Sequence, residues 1–107
     1  MKATVNGCVV AESADIVDCA GYRYFPSGDV RLEWLEKVSK TDHDRACPNG
    51  VQFYDVVIDG ARYARAAWVY ETPQQSHRTT AGRVGFWQDV EVVESDADSV
   101  AVPVIRA

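Results

Sequence analysis

Two dipeptides, Asn6-Gly7 and Asp59-Gly60, each join two runs of strand-forming residues. The tightest hairpin turn needs positive φ at both central positions, which Asn, Asp and Gly adopt with least strain. Asn6-Gly7 therefore predicts that residues 3–5 pair back on residues 8–11. Asp59-Gly60 predicts a longer hairpin of residues 51–59 and 62–70. Shorter strand-like stretches lie at 16–19 and at 22–25 beyond Gly21, where Tyr22 and Tyr24 share a face. Residues 83–87 and 90–93 read as a closing pair. A chain dominated by alternation and hairpin turns is mainly β.

Residues 29–37, Asp-Val-Arg-Leu-Glu-Trp-Leu-Glu-Lys, are the one helical-looking segment. Asp29 can cap it, Glu33 and Lys37 form an i,i+4 pair, and Leu32, Leu35 and Trp34 can pack inward. The same nine residues are also compatible with a strand. Residues 39–45 read as a polar loop, and 76–82 as a polar connection with room for one helical turn. The 107 residues suffice for one core. The expected fold is thus a small single mainly-β domain over residues 1–94 with at most one or two short helices. Residues 95–107 read as an acidic linker and an extended arm, since Pro103 confines 100–105 to an edge. Such an arm is a candidate for exchange in a homodimer.

Charge narrows the partners. Residues 1–87 hold ten Lys and Arg against eleven Asp and Glu, whereas residues 88–107 hold five acidic residues against Arg106 alone. A near-neutral body with an acidic tail lacks the counterion-release drive of nucleic-acid binding, so no nucleic-acid partner is expected. The longest uninterrupted apolar run is the five residues 66–70, far short of a membrane span. With no apolar leader visible at the start, the expected setting is cytoplasmic, with no membrane partner. Cys8, Cys19 and Cys47 are odd in number and contain no Cys-x-x-Cys, which argues for reduced thiols rather than a disulfide framework or zinc site.

Several short pieces recur in order along residues 1–93: Gly7-Cys8-Val9-Val10-Ala11-Glu12-Ser13, Tyr24-Phe25-Pro26 with Asp29-Val30-Arg31, Leu35, and Cys47-Pro48 with Gly50. Tyr54 with Val56, Ala66-Ala67-Trp68-Val69-Tyr70, and Val84-Gly85-Phe86-Trp87 complete the set. Through them the chain resembles the domain of unknown function 427 family, which also carries a nucleotidyltransferase-like label. The resemblance implies a small fold similar to the β-tent group, with two sheets meeting around an open groove, and no agreed activity. The chain departs from the family's His-Cys-Pro-Tyr-Lys-Gly pattern: Ala46-Cys47-Pro48-Asn49-Gly50 is one residue shorter and lacks both basic residues. Nor can it form the four-cysteine zinc site found in other β-tent proteins.

Three constellations carry chemistry. Cys47 has His43 and Arg45 nearby in sequence, and Asp42 or Asp44 to orient an imidazole, so a thiolate nucleophile with His43 as base is one reading. Cys-Pro-x-Gly is equally a plain turn. Asp42 and Asp44 would share a side of an extended strand and could hold Mg²⁺, but no phosphate cradle precedes them and a solvated acidic loop fits better. No metal site and no cofactor are expected. The third set is aromatic: Tyr24, Tyr54, Trp68, Tyr70, Phe86 and Trp87. Trp68 and Tyr70 share a strand face, and Tyr24 and Tyr54 from neighbouring strands would complete a groove, with Asp29, Arg31 or Arg65 as polar anchors. The same rings could simply fill the core. His77 reads as exposed.

These readings favour a small-ligand or peptide-binding module centred on Tyr24, Trp68 and Tyr70, with Asp29 and Arg31 fixing polar groups. A thiol-dependent enzyme using Cys47 and His43 is the alternative. An interaction subunit pairing through an edge strand or the C-terminal arm is a third.

Overall fold

A computed structural model of the chain describes residues 1–94. The arm at 95–107 and its proposed exchange lie outside the described residues. Nine strands form two sheets: β1 (Lys2–Val5), β2 (Cys8–Glu12), β3 (Val17–Cys19), β4 (Tyr22–Pro26), β5 (Leu35–Lys37), β6 (Val51–Ile58), β7 (Ala61–Tyr70), β8 (Arg83–Phe86) and β9 (Glu91–Val93). A four-residue helix, α1 (Asp42–Arg45), and short 3₁₀ segments connect them. The three-stranded sheet runs β2-β1-β9 and the six-stranded sheet β3-β4-β8-β7-β6-β5, with every pair antiparallel. The fold is mainly β.

The hairpin logic holds residue by residue. Asn6 and Gly7 have φ of 50° and 83°, and Asp59 and Gly60 have 49° and 83°. Ala20-Gly21 makes a third turn of the same kind between β3 and β4, at 52° and 89°. Here alanine sits at positive φ, a conformation with a steric cost that Asn or Asp would reduce.

Alternation assigns the core. Ala3, Val5, Val10 and Ala11 of the small sheet pack against Phe25, Val56, Ile58, Ala67, Val84 and Phe86 of the large one. That uses one face of the large sheet. The residues between them on the same strands, Tyr24, Val51 and Trp68, form a second cluster with Phe53, Tyr70 and Trp87 on the opposite face. The three-stranded sheet does not reach it.

The helix at 29–37 does not form. Ser27–Asp29 and Leu32–Trp34 are single 3₁₀ turns, and Leu35–Lys37 is β5, paired to β6. Between them Val30 bridges to Ala11 and the Arg31 N–H donates to the Val10 carbonyl at 2.8 Å. A nine-residue helix pays a full nucleation cost for few hydrogen bonds, while β2 and β6 offer open backbone partners. Leu32 is exposed; Trp34 and Leu35 pack on the core. The expected pairing of residues 83–87 with 90–93 is also replaced. The Val90 N–H closes a turn on the Trp87 carbonyl, Gln88 takes positive φ, and β9 crosses to pair with β1. Residues 42–45 are helical rather than loop because Thr41 and Asp44 form a reciprocal capping box.

Candidate functional site

The second cluster is built on one rung of the large sheet. Tyr24 and Trp68 are both in register with Gly85, which lies between them on β8. A Cβ on Gly85 would meet the Trp68 ring at 2.7 Å and the Tyr24 ring at 3.0 Å, so both rings lean into the space glycine leaves. They meet edge to face with centroids 5.8 Å apart. Phe53, in register with Trp68 across β6 and β7, stacks on Trp87 at 5.8 Å, and Trp87 meets Trp68 at 5.4 Å. Tyr22 stands edge-on to Trp68 at 5.0 Å and is the exposed member of the set.

A bulge in β7 holds this cluster in place. The β6–β7 register shifts between Tyr54 and Val56, and opposite it Arg65 adopts φ of 52°. Asp55 sits beneath the bulge, where its carboxylate accepts the Arg65 backbone N–H at 2.9 Å and the Arg62 guanidinium at 2.7 Å. Burial would raise the Asp55 carboxyl, but the Arg65 N–H and the Arg62 guanidinium hold it below the usual range. The Arg65 side chain turns to the aromatic face, with its guanidinium 4.0 Å over the Phe53 ring and bonded to Asp44 at 2.7 Å. Asp44 is buried, and the Arg65 guanidinium, with the Thr41 N–H, lowers its carboxyl to about 2.

Two hollows open beside Phe53 and Tyr70. One of about 90 Å³ is bordered by Tyr22, Val51, Phe53, Trp68, Tyr70 and Trp87. The other, an open cleft of about 390 Å³, shares Val51, Phe53 and Tyr70 and continues to His43, Asp44 and Cys47. Cys47-Pro48-Asn49-Gly50 is a β-turn in which the Gly50 N–H donates to the Cys47 carbonyl at 3.1 Å. Buried Asn49 ties this turn to the exit of β7, accepting the Gln74 N–H at 2.7 Å through its side chain and the Thr72 N–H at 3.0 Å through its carbonyl.

The structure brings Tyr24, Trp68 and Tyr70 together, with Tyr24 and Tyr70 centroids 6.2 Å apart. It does not bring Tyr54, whose side chain packs with the core on the opposite face. Asp29 and Arg31 are exposed beside β2, away from the rings, and Arg31 stacks on Trp34 and pairs with Glu33. His43 and Cys47 line the same cleft without a hydrogen bond between them. Asp42 and Asp44 are engaged by Arg45 and Arg65 rather than by the imidazole. Asp44 is therefore no solvated loop residue, and among the described residues no three His, Cys, Asp or Glu side chains gather to hold a metal ion. His77, expected to be exposed, is half-buried with its ring edge-on to Tyr70 at 5.3 Å. Of the other two rings in the aromatic set, Trp87 joins the cluster and Phe86 lies in the core between the sheets, while Phe53 and Gly85, outside that set, belong to the cluster. Gly85 lies two residues before Trp87 in the same short strand pattern, the signal that could have found it.

Two buried polar atoms in this cluster have no partner: the Tyr24 hydroxyl and the Trp68 indole Nε1. The residues are 1% and 3% exposed. Burial pushes the Tyr24 phenol well above its ordinary range, and the Tyr70 phenol beside it adds to the rise. Most buried polar groups are bonded, so two orphans in one cluster are unusual.

The architecture defines a small two-sheet β domain with an aromatic site on the sheet face that the second sheet leaves free. Residues 1–98 match the model of a domain of unknown function, DUF427, whose short name is that of a nucleotidyltransferase-like group, and the chain belongs to that family. No curated protein matches the chain. No helix among the described residues is long and apolar enough to cross a membrane.

Proposed function

We propose that this chain is a binding module for a small organic ligand, received in the aromatic hollow and the cleft beside it. One observation carries the reading: Phe53, Trp68, Tyr70 and Trp87 converge on a sheet face that is not needed to close the core between the two sheets. Rings used only as filling would be expected between the sheets, where Phe25 and Phe86 already lie. Apolar walls with a few polar atoms are the usual make-up of a small-molecule site. The polar groups bordering this space belong to Tyr22, Trp68 and Tyr70 at the hollow and to His43, Asp44 and Cys47 in the cleft, in place of Asp29 and Arg31.

Native mass spectrometry of the purified protein beside its denatured mass tests this reading. A reproducible non-covalent adduct that disappears in Tyr70→Ala is the expected result. A clean mass, together with no change in tryptophan emission on adding aromatic probes at millimolar concentration, would count against it.

Cys47 and His43 border the same cleft, which keeps a thiol reaction as the second reading. A general base must reach the proton it removes, and these two side chains are not hydrogen-bonded.

A further inference from the structure

We propose that the ligand of the aromatic hollow is an uncharged planar ring bearing a hydrogen-bond acceptor, which receives the Trp68 indole N–H and the Tyr24 hydroxyl once the Tyr22 ring swings aside. This inference rests on the binding reading above and deepens it to a ligand class.

The argument begins with the orphan donors. The Trp87 indole, a neighbour of Trp68, donates to a backbone carbonyl at 2.6 Å, so an indole N–H in this cluster can be satisfied within the protein. The Trp68 indole N–H and the Tyr24 hydroxyl face each other without closing a hydrogen bond, so an acceptor placed between them would complete both. A buried donor without a partner is destabilising, and an acceptor brought by a ligand removes that penalty on binding.

Charge then narrows the class. None of the six residues bordering the smaller hollow is ionic, so an anion would enter without a counter-charge and lose its hydration. The Arg65 guanidinium, which lies over Phe53, is already committed to Asp44. Its position also opposes a cation on those rings. A neutral acceptor, a ring nitrogen or a carbonyl, meets both limits. Five of the six bordering residues are aromatic, and such walls favour a planar ring that can stack on them or meet them edge to face.

Access comes from Tyr22. Of the four rings against Trp68 it is the exposed one, next to the Ala20-Gly21 turn. An exposed rotamer can change without disturbing the core.

The test uses three probes on the full chain: quinolin-2-one, naphthalene, and quinoline-2-carboxylate. Affinities are measured by calorimetry, and the Trp68 indole ¹H–¹⁵N resonance is followed in parallel, assigned with Trp68→Phe. Quinolin-2-one is expected to bind about tenfold more tightly than naphthalene, the worth of a good hydrogen bond. It should also move the Trp68 N–H resonance downfield, while the carboxylate binds worst. Tyr24→Phe, which keeps the ring, should narrow the preference for quinolin-2-one. Equal binding of naphthalene, or a Trp68 resonance that does not move, overturns the acceptor inference and leaves the binding reading standing. Tightest binding by the carboxylate overturns the claim of neutrality. Absence of binding by all three overturns the binding reading and this inference together. If the Trp68 N–H already shows a water contact and bound probes do not displace it, the orphan donors are satisfied by solvent and the inference fails.

Discussion

The Trp87 indole N–H donates to the Arg65 backbone carbonyl at 2.6 Å. A ring that borders the hollow is thereby fastened to the one bulge in β7. Arg65 carries four attachments: its N–H to Asp55, its carbonyl to Trp87, and its guanidinium to Asp44 and over Phe53. Positive φ at a non-glycine residue is tolerated when the surroundings over-determine it, as they do here. The bulge converts one backbone irregularity into a fixed position for two rings and the helix that ends the cleft.

Removing the Arg65 side chain should therefore cost more than its half-exposed position suggests. Arg65→Ala leaves the buried Asp44 carboxylate without its guanidinium, and breaking such a pair costs about 3 kcal/mol. Urea unfolding should show a midpoint shift of that size. The loss should shrink when Arg65→Ala is combined with Asp44→Asn, because the uncompensated charge is then gone.

Acid should act through the same pair. The Asp44 carboxyl sits at about 2, held there first by the Arg65 guanidinium and then by the Thr41 N–H. Its unfolded value is about 4. With the folded value the lower of the two, its contribution is complete above about pH 4 and drains away as pH falls toward about 2. Asp55, also lowered, acts in the same direction. Unfolding midpoints measured from pH 7 to pH 2 should fall steeply below pH 4. Asp44→Asn should be less stable at pH 7 and show a flatter fall in acid.

Gly85 offers a probe of the aromatic rung itself. In Gly85→Ala the new methyl would approach Trp68 ring atoms at 2.7 and 2.8 Å, and the whole ring must shift to admit it. Overpacking of this kind costs about 1–3 kcal/mol. Near-ultraviolet circular dichroism should change with the indole's surroundings while the far-ultraviolet strand signal persists. An unchanged near-ultraviolet spectrum would mean that Trp68 is not held against β8.

Much of this arrangement could be read from local sequence, because hairpin turns and face-sharing are local properties. Asn6-Gly7 and Asp59-Gly60 declare their turns through residues able to take positive φ. Trp68 and Tyr70 share a face by spacing alone. Which residue of a second strand joins them is set by register, which one strand does not encode. Phe53, not Tyr54, stands opposite Trp68. Residues 29–37 were ambiguous because their apolar spacing suits a helix, while the partners that made them extended, β2 and β6, lie elsewhere in the chain. The Arg65 bulge was invisible for a different reason: arginine carries no signal for positive φ. Asp44, which resembles a solvated loop carboxylate in sequence, is buried by the partner that this bulge supplies.

The thiol reading makes a sharp prediction at Cys47. The Cys47-Pro48-Asn49-Gly50 turn is held by its own internal bond and by the Asn49 links to β7's exit, and Gly50 has φ of 67° where an added Cβ would come within 2.5 Å of Thr72 Oγ1. Cys47 is half-buried by this turn and packs against the aromatic cluster. Meanwhile both carboxylates near His43 are occupied, Asp42 by Arg45 and Asp44 by Arg65 and Thr41. Nothing orients the imidazole toward the sulfur. Positioned acid–base partners contribute about a hundredfold or more to a reaction. His43→Ala should instead change the rate of Cys47 alkylation by iodoacetamide, followed by mass spectrometry, by less than about twofold. A loss approaching a hundredfold would make His43 and Cys47 a working pair and move the chemistry of this cleft from binding to catalysis.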